Sequence, residues 1–352
     1  MTEAFLQICS WSLLGLNGQR DFSTLFSLPP TDTGGTPEMN CLDKLESFFA
    51  YEEDGISNLE KVRKNQKVIR RLPSTDLNRS YEESDSDVKD IGLPGVVIED
   101  GKLIGFGIHI FNEDIYPLKY FEIYLRNCGL SGELDISGCR DMLFLDVYHN
   151  SITAIQSVDL PSMRIFGVQD NRLEKIDCSG MPGCYGIDAG KNRLKEIDVS
   201  KNQELVELYI NDNQITEIDL SCNPKLKYFY CHNNGISRLD TRKNPLLRHL
   251  NATGNPMKEI LCFAPQQEDR LPLELRADEG GCVGLRFNPI YNAQWKETGE
   301  WQQSYYAYAD EGYVFTGWYT PDGELVSPDA AWDDEYGTSR CITAIFALKD
   351  RK

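Results

Sequence analysis

Residues 163–246 read MRIFGVQDNRLEKIDCSGMPG (163–183), CYGIDAGKNRLKEIDVSKNQE (184–204), LVELYINDNQITEIDLSCNPK (205–225) and LKYFYCHNNGISRLDTRKNPL (226–246). Each segment has 21 residues and places the same residue types at the same positions, which we number from the first residue of the segment. A period of this length indicates a solenoid, in which each repeat packs against its neighbours. The repeat extends from Tyr120 to Phe263, and the rest of the chain is arranged around it.

One face of each repeat is predicted to form a short strand. Positions 1, 4, 6, 11 and 14 are apolar, and in one copy they hold Leu205, Leu208, Ile210, Ile215 and Ile218. Apolar positions 4 and 6 alternate with mostly polar positions 3, 5 and 7, which is the period of two expected of a half-buried strand. Each repeat therefore contributes one strand to a parallel sheet.

Position 9 is asparagine in six successive copies, namely Asn150, Asn171, Asn192, Asn213, Asn234 and Asn255. In the copy that starts at Tyr120 and is one residue longer, Cys128 holds this position. A buried amide at position 9 can bond the backbone of the neighbouring turn, at about 1 kcal/mol for each net bond. We interpret this column as a structural ladder.

These positions resemble the leucine-rich repeat, L-x-x-L-x-L-x-x-N/C-x-L, whose strand lines the concave side of a horseshoe. The second half of the repeat, I-D-L-S-x-N-P at 218–224, leaves too little room for a long helix. Extended or 3₁₀ backing is therefore expected on the convex side. The short repeat resembles the bacterial, internalin-like type.

Position 15 holds an aspartate in five copies, and these aspartates are candidate metal ligands because neighbouring strands stack about 4.8 Å apart. Aspartate and serine two residues apart at a turn normally bond local backbone amides instead. We expect that local role for Asp135, Asp177, Asp198, Asp219 and Asp240.

Residues 1–90 lie outside the repeat and are predicted to be partly helical, with linkers. Apolar residues recur at helical spacing from Leu42 to Phe49 and again from Ile56 onward. The second stretch carries basic residues that include Lys61, and we expect a solvated helix face or one docked on the acidic repeats, with a membrane or partner site as the alternative.

Residues 91–119 contain two β-rich runs around Asp100 and Gly101, the strongest short hairpin signal. A solenoid end exposes strand edge and apolar core unless it is covered. The hairpin is therefore predicted to cap a solenoid that spans 120–265.

Residues 270–352 have a different, aromatic composition that includes four of the five tryptophans, namely Trp295, Trp301, Trp318 and Trp332. Gly280, Gly281 and Val283, the run DEGYVFTGW at 310–318 and ITAIF at 342–346 resemble the divergent B-repeat of internalin-type surface proteins. That resemblance implies a small β-grasp-like domain. Its aromatic residues are expected to fill a core, with a sugar-binding platform as the alternative.

The charge, the apolar runs and the cysteine count of the chain limit which kinds of partner and which cellular compartment are expected. The formal charge of −19 argues against nucleic acid, because phosphate binding needs a basic face. The longest uncharged apolar runs are too short for a membrane span. Residues 4–16 make a poor signal peptide, because Glu3 precedes them and no lysine or arginine does. Eleven cysteines leave at least one unpaired, and no disulfide framework can be read from their spacing.

The sequence predicts no enzyme, no metal and no cofactor. The chain has four histidines, and His232 adjoins Cys231 on a predicted strand, where successive side chains point to opposite faces. Because the two side chains point to opposite faces, Cys231 and His232 are not expected to form a catalytic thiol and imidazole dyad. Phosphate loops, zinc-type cysteine pairs and nucleophile elbows are missing from the sequence.

Three classes of function remain. The resemblance implies a secreted or cell-surface bacterial protein that binds a protein partner on a host or neighbouring cell. A glycan or cell-wall binder that uses the C-terminal aromatic residues is one alternative. An intracellular scaffold is the other, since the chain shows no clear export signal.

The candidate site is the set of strand positions 3, 5 and 7, which point away from the core into the concave face. Tyrosine is enriched at binding hot spots, although aromatic columns also stabilise exposed sheets through cross-strand contacts. The predicted partner-binding residues are Phe144, Tyr148, Glu207, Tyr209, Tyr228, Tyr230, His232 and His249.

Overall fold

The computed structural model describes residues 41–62, 96–99, 102–106, 125, 127–263, 272–291, 297–334 and 341–349. Expectations for 1–40 and for the second N-terminal helix beyond residue 62 lie outside the described residues, as does part of the first repeat.

The described N-terminal residues cover the open end of the solenoid core. Helix α1 (Cys41–Ala50) is followed by a short antiparallel hairpin of β1 (Glu52–Glu53) and β2 (Ile56–Ser57), and by helical residues 58–62. Leu45, Phe48, Phe49 and Val62 are buried in the same apolar core as the first repeats. This segment therefore caps one end of the repeats.

Polar contacts and a disulfide fix this cap. Lys44 forms an ion pair with Asp135 at 3.0 Å, and the side-chain amide of Asn58 donates to the carbonyl oxygen of Ser131 at 2.9 Å. Cys41 and Cys139 are joined by a disulfide, with their Cα atoms 5.7 Å apart and a sequence separation of 98 positions.

Two further strands, β3 (Val96–Glu99) and β4 (Lys102–Phe106), form the antiparallel hairpin predicted around Asp100 and Gly101. Strand β4 pairs in parallel with the repeat strand at 144–146, so that the hairpin forms one end of the concave sheet.

The repeats form a β solenoid with a parallel concave sheet, as the sequence predicted. Each strand aligns without stagger, because residues at the same repeat position pair across the sheet; Leu208, for example, lies between Ile187 and Phe229. On the convex side the backing is extended, as β5 (Ser131–Asp135) and β7 (Ser151–Gln156) show. The concave strands are β6 (Phe144–Asp146), β8 (Ile165–Gly167), β9 (Gly186–Asp188), β10 (Glu207–Tyr209), β11 (Tyr228–Tyr230) and β13 (His249–Asn251).

The position-9 asparagines bond between and within repeats. The side-chain nitrogen of Asn213 donates to the carbonyl oxygens of Ala189 and Ile210, at 3.0 and 3.1 Å. Its side-chain oxygen accepts the backbone N–H of Leu194 at 2.9 Å. Asn150, Asn171, Asn192, Asn234 and Asn255 repeat this pattern. The column is therefore the ladder that the sequence predicted.

A second column of buried asparagines runs along the convex side at position 19. The side-chain nitrogen of Asn223 donates to the carbonyl oxygens of Val199 and Asn202, both at 2.9 Å. Asn202 and Asn244 make the equivalent bonds. Two amide columns therefore hold successive repeats together, one on each side of the core.

The last repeat continues into the C-terminal strands on both of its sides. On the convex side β12 (Arg238–Asp240) pairs with β14 (Glu259–Phe263), and β14 pairs antiparallel with β15 (Pro272–Ala277). On the concave side β13 pairs antiparallel with β16 (Gly281–Tyr291). The remaining strands are β17 (Glu297–Ala309), β18 (Tyr313–Tyr319), β19 (Leu325–Ser327), β20 (Ala331–Asp333) and β21 (Cys341–Leu348).

The C-terminal aromatic residues largely fill a core that is continuous with the core of the repeats. Trp318 and Tyr305 are fully buried, and Trp332 stacks on Tyr305 at 5.0 Å between ring centroids. Gly280 and Gly281 lie where a Cβ atom would collide with the rings of Tyr313 and Phe346. The three motif segments therefore pack against one another, and their assignment to a β-grasp-like B-repeat stays a prediction.

Candidate binding surface

Two straight rows of side chains cross the concave face, because equivalent repeat positions pair in register. The position-3 row is Phe144, Ile165, Gly186, Glu207, Tyr228 and His249. The position-5 row is Asp146, Gly167, Asp188, Tyr209, Tyr230 and Asn251, and it continues to Arg286 on β16. The surface is aromatic toward the C-terminal end and acidic and glycine-bearing in the middle.

Five of the predicted site residues lie on or just after three neighbouring strands, β10, β11 and β13, and we call them the aromatic patch: Tyr209, Tyr228, Tyr230, His232 and His249. The rings of Tyr209 and Tyr230 meet edge to face at 5.2 Å, and those of Tyr228 and His249 stack at 4.2 Å. The Tyr230 and His232 rings are 6.4 Å apart. The rows therefore hold these rings in fixed contact on a sheet rather than on a mobile loop.

Phe144 and Tyr148 do not join the aromatic patch. They lie on or just after β6, and β8 and β9 separate them from Tyr209. The Tyr148 hydroxyl donates to Asp188 at 3.2 Å, and strand β8 lies between the two strands that carry these residues. Seven of the eight predicted residues thus form two groups, and the eighth, Glu207, lies on β10 with Tyr209.

Three of the predicted residues are much less exposed than we expected of side chains outside the core. Tyr148 is 4% exposed, Glu207 is 7% exposed and His249 is 4% exposed. They stay outside the apolar core but are covered by neighbours on the same face, such as the Trp301 ring, which lies 6.0 Å from His249. Phe144, Tyr209, Tyr228, Tyr230 and His232 keep partly exposed surface.

Burial sets the electrostatics of the aromatic patch. It lowers the pKa of His249 to about 3, with the positive charge of Arg248 adding to the effect. Burial also lowers the pKa of His232, against the opposing effect of Asp212, whose carboxylate lies 3.8 Å away. The pKa of Tyr209 is raised, first by burial and then by Glu207. In all three side chains burial therefore favours the neutral form.

Sequence reasoning missed two residues of this surface, Arg286 and Trp301. Arg286 is exposed and pairs with Asn251 across β13 and β16, which extends the position-5 row beyond the repeats. Trp301 lies on β17 and contacts His249. Both belong to strands far away in sequence, and no local signal connects them with the repeats.

The position-15 aspartates all bond local backbone, as expected, and Asp135 in addition pairs with Lys44 of the N-terminal helix. The carboxylates of Asp177, Asp198 and Asp219 accept backbone N–H groups two residues along the chain, at 2.8 to 2.9 Å. Within the part of the chain that the structure describes, no three histidine, cysteine or acidic residues are grouped so as to hold a metal ion. In the same residues no helix combines the length and the apolar character that crossing a membrane requires.

One comparison with known proteins matches part of the repeat region. A family model described as Leucine Rich repeats (2 copies) matches residues 203–244. With the register of the stacked strands, this match identifies the repeats as leucine-rich repeats. No curated protein matches the sequence.

Similar solved structures include the functional domain of InlJ from Listeria monocytogenes, with 16% identity and a TM-score of 0.37. That match covers 61% of this chain and 54% of the other, so this chain spans about half of the InlJ structure. A leucine-rich repeat protein of Leptospira interrogans has 22% identity over 36% of this chain and 34% of its own, with a TM-score of 0.31. The internalin InlF of Listeria monocytogenes has 18% identity over 34% and 44%, with a TM-score of 0.28.

Proposed function

We propose that the chain is a non-enzymatic binding protein and that its aromatic patch binds a protein partner. Leucine-rich repeat solenoids are typical of protein–protein interaction, because their curved sheet gives an extended concave surface. The observation that carries the proposal is the contact between the Tyr209 and Tyr230 rings, which are half-buried and 5.2 Å apart on neighbouring strands. Tyrosine rings held rigidly in this way bury large area at small entropic cost.

The partner is proposed to lie on a host or neighbouring cell, with this protein secreted or displayed at the cell surface. The disulfide between Cys41 and Cys139 supports this location, because disulfides persist in oxidising compartments. The same disulfide makes an intracellular scaffold the less favoured alternative, because the cytosol keeps thiols reduced.

Glycan or cell-wall binding by the C-terminal aromatic residues has one supporting observation. The rings of Tyr306 and Tyr308 stack almost parallel with their centroids 6.4 Å apart, and Tyr308 is 37% exposed. Most of the other aromatic side chains that the structure describes in this part belong to the core or pack against it, and so offer little surface to a sugar. Protein binding is therefore the function that the geometry favours.

The test compares two double variants of the full chain. Tyr209→Ala with Tyr230→Ala removes the central pair of the aromatic patch, and Tyr306→Ala with Tyr308→Ala removes the same number of rings from the C-terminal strands. Candidate partners are captured on immobilised wild-type protein and their affinities measured. We expect the first pair to weaken binding by more than about tenfold and the second pair to leave it unchanged.

Near-ultraviolet circular dichroism and thermal unfolding verify that both variants are folded. A partner that binds the Tyr209 and Tyr230 variant as tightly as wild type would contradict the proposal. Loss of binding in the Tyr306 and Tyr308 variant alone would move the site to the C-terminal strands.

A further inference from the structure

Arg286 lies where the concave sheet passes from the repeats to the C-terminal strands. It follows Asn251 in the position-5 row and pairs on its other side with Ser304 of β17. Arg286 is exposed, Asn251 is half-buried and Ser304 is 5% exposed. The guanidinium is therefore the accessible group among three polar side chains that cross the sheet in register.

A neutral side chain holds this guanidinium in place. Asn288 lies two residues further along β16, and with its amide oxygen facing Arg286 it accepts from Nε at 2.7 Å and from a terminal nitrogen at 3.0 Å. In the same orientation its amide nitrogen donates to the carbonyl oxygen of Phe287 at 3.0 Å. An amide leaves the positive charge uncompensated, and the guanidinium has further N–H donors to offer.

No acidic side chain of the protein neutralises Arg286 within the part of the chain that the structure describes. Another exposed arginine, Arg238, by contrast pairs with Glu259 at 2.7 Å. The charged residues of the position-5 row within the repeats are Asp146 on β6 and Asp188 on β9, farther along the sheet. Arg286 is therefore the point of this row that complements an acidic group.

The charge of Arg286 reaches the aromatic patch. Tyr230 pairs with Asn251, so a single strand separates the tyrosine from Arg286. Burial raises the pKa of Tyr230, and Arg286 opposes that rise. Burial lowers the pKa of His232 against the opposing effect of Asp212, and Arg286 lowers it further. Arginine and tyrosine are both enriched at interface hot spots, and here one partner segment can contact both.

We propose that Arg286 binds a carboxylate of the protein partner, the side chain of an aspartate or glutamate, while neighbouring residues of the partner cover the aromatic patch. A planar guanidinium and a carboxylate form charge-assisted hydrogen bonds that fix orientation as well as adding affinity. The aspartates farther along the row repel such a carboxylate, which favours one register of the partner on the concave face. The inference rests on the proposed function and states the chemistry of the partner at one position.

Peptide selection on the full chain tests the inference without a known partner. A random peptide library displayed on phage is selected in parallel on wild type, on Arg286→Gln and on Arg193→Gln. The last variant is the matched control, because Arg193 is an exposed arginine at position 10, outside the concave strands. Diffuse attraction to a chain with a formal charge of −19 would enrich basic peptides. We expect wild type and the control to enrich peptides with an acidic residue beside aromatic or aliphatic ones, and Arg286→Gln to lose the acidic residue.

Fluorescence anisotropy with one selected, labelled peptide then measures the pairing. Replacing its acidic residue by the corresponding amide should weaken binding to wild type by more than about tenfold. The same replacement should not change binding to Arg286→Gln, where the interacting group is already missing. Arg286→Lys should keep part of the preference for the acidic peptide, since it retains the charge but not the planar guanidinium. Thermal unfolding verifies that each variant is folded.

Two results would overturn the inference. One is a wild-type selection whose peptides share no acidic residue. The other is an acidic residue whose replacement weakens binding to wild type and to Arg286→Gln equally.

The Tyr209 and Tyr230 double variant separates this inference from the proposed function. A selected peptide that loses affinity for the tyrosine variant but not for Arg286→Gln would exclude Arg286 and leave the aromatic patch as the site. A peptide that loses affinity for Arg286→Gln alone would support the carboxylate contact and contradict binding by the patch.

Discussion

The side-chain oxygen of Asn213 accepts the backbone N–H of Leu194 from the preceding repeat, 2.9 Å away. The same asparagine donates to Ala189 of that repeat and to Ile210 of its own. One amide therefore satisfies backbone groups on both sides of a repeat boundary, and equivalent bonds recur along the solenoid.

We expect Asn213→Ala, and separately Asn192→Ala, to lower the free energy of unfolding by about 1 to 3 kcal/mol. Alanine leaves the backbone groups of two repeats without their amide partner in a buried place. Chemical denaturation measures the change, with Gln214→Ala, an exposed neighbour, as the control. Denaturation midpoints equal to wild type in both asparagine variants would contradict the ladder.

Cys41→Ser should destabilise the N-terminal cap strongly. In the chain-entropy account, a disulfide that closes a loop of about 100 residues contributes up to about 4.7 kcal/mol, and this one spans 98 positions. Cys139→Ser should have the same effect as Cys41→Ser, and the double variant should add nothing further. Non-reducing mass mapping of the purified protein checks the pairing directly; two free thiols in oxidised protein would refute it.

We expect the free energy of unfolding to decrease as the pH is lowered, in part because of His249. Its pKa is about 3 in the folded protein against about 6.5 in the unfolded chain, so the unfolded state binds the proton more readily below pH 6.5. The stability due to the neutral ring is present above about pH 6.5 and is lost as pH falls toward 3, by about 2 kcal/mol at pH 5. His249→Gln should reduce this dependence. Denaturant titrations at pH 7 and pH 5 measure the slope; an identical slope in wild type and variant would contradict the assignment.

The boundary at 270 can be tested with two fragments. The sequence predicts that 270–352 folds alone, because its core is aromatic and the connector is polar. The structure adds that β14, which precedes this boundary, pairs with β15 over five residues. We therefore expect 256–352 to unfold at higher temperature than 270–352. Calorimetry measures the unfolding temperatures of both fragments. Equal temperatures would mean that β14 does not stabilise the C-terminal strands.

The periodic features of the chain were predictable from sequence. Alternation at positions 3 to 7 predicted the strands, and the asparagine at position 9 predicted the ladder, because both depend on residues within one repeat or its neighbour. The left-handed backbone at position 8 was not predicted. It has φ from 51° to 57° at His149, Asp170, Lys191, Asp212 and Asn233. These side chains share no common chemistry, so the conformation is imposed by the strand ending rather than by residue type.

The candidate site was only partly predictable. Register alone predicted that Tyr209 and Tyr230 would be neighbours, and their rings are in contact. The burial of His249 depends on Trp301, 52 positions later in the chain, and no repeat pattern connects the two. The pairing of Cys41 with Cys139 is non-local in the same way, and eleven cysteines allow too many combinations to choose among.

The pairing of both sides of the last repeat with C-terminal strands has a mechanical consequence. Strand β13 is bonded to β16 and strand β14 to β15, so two sets of backbone hydrogen bonds transmit force between the repeats and the C-terminal strands. Because the two sets of hydrogen bonds lie on opposite sides of the core, bending between the repeats and the C-terminal strands would stretch one of them. If the C-terminal side is held at a surface, the concave face keeps one orientation toward that surface, and a partner pulling on it loads strand pairs instead of opening a hinge.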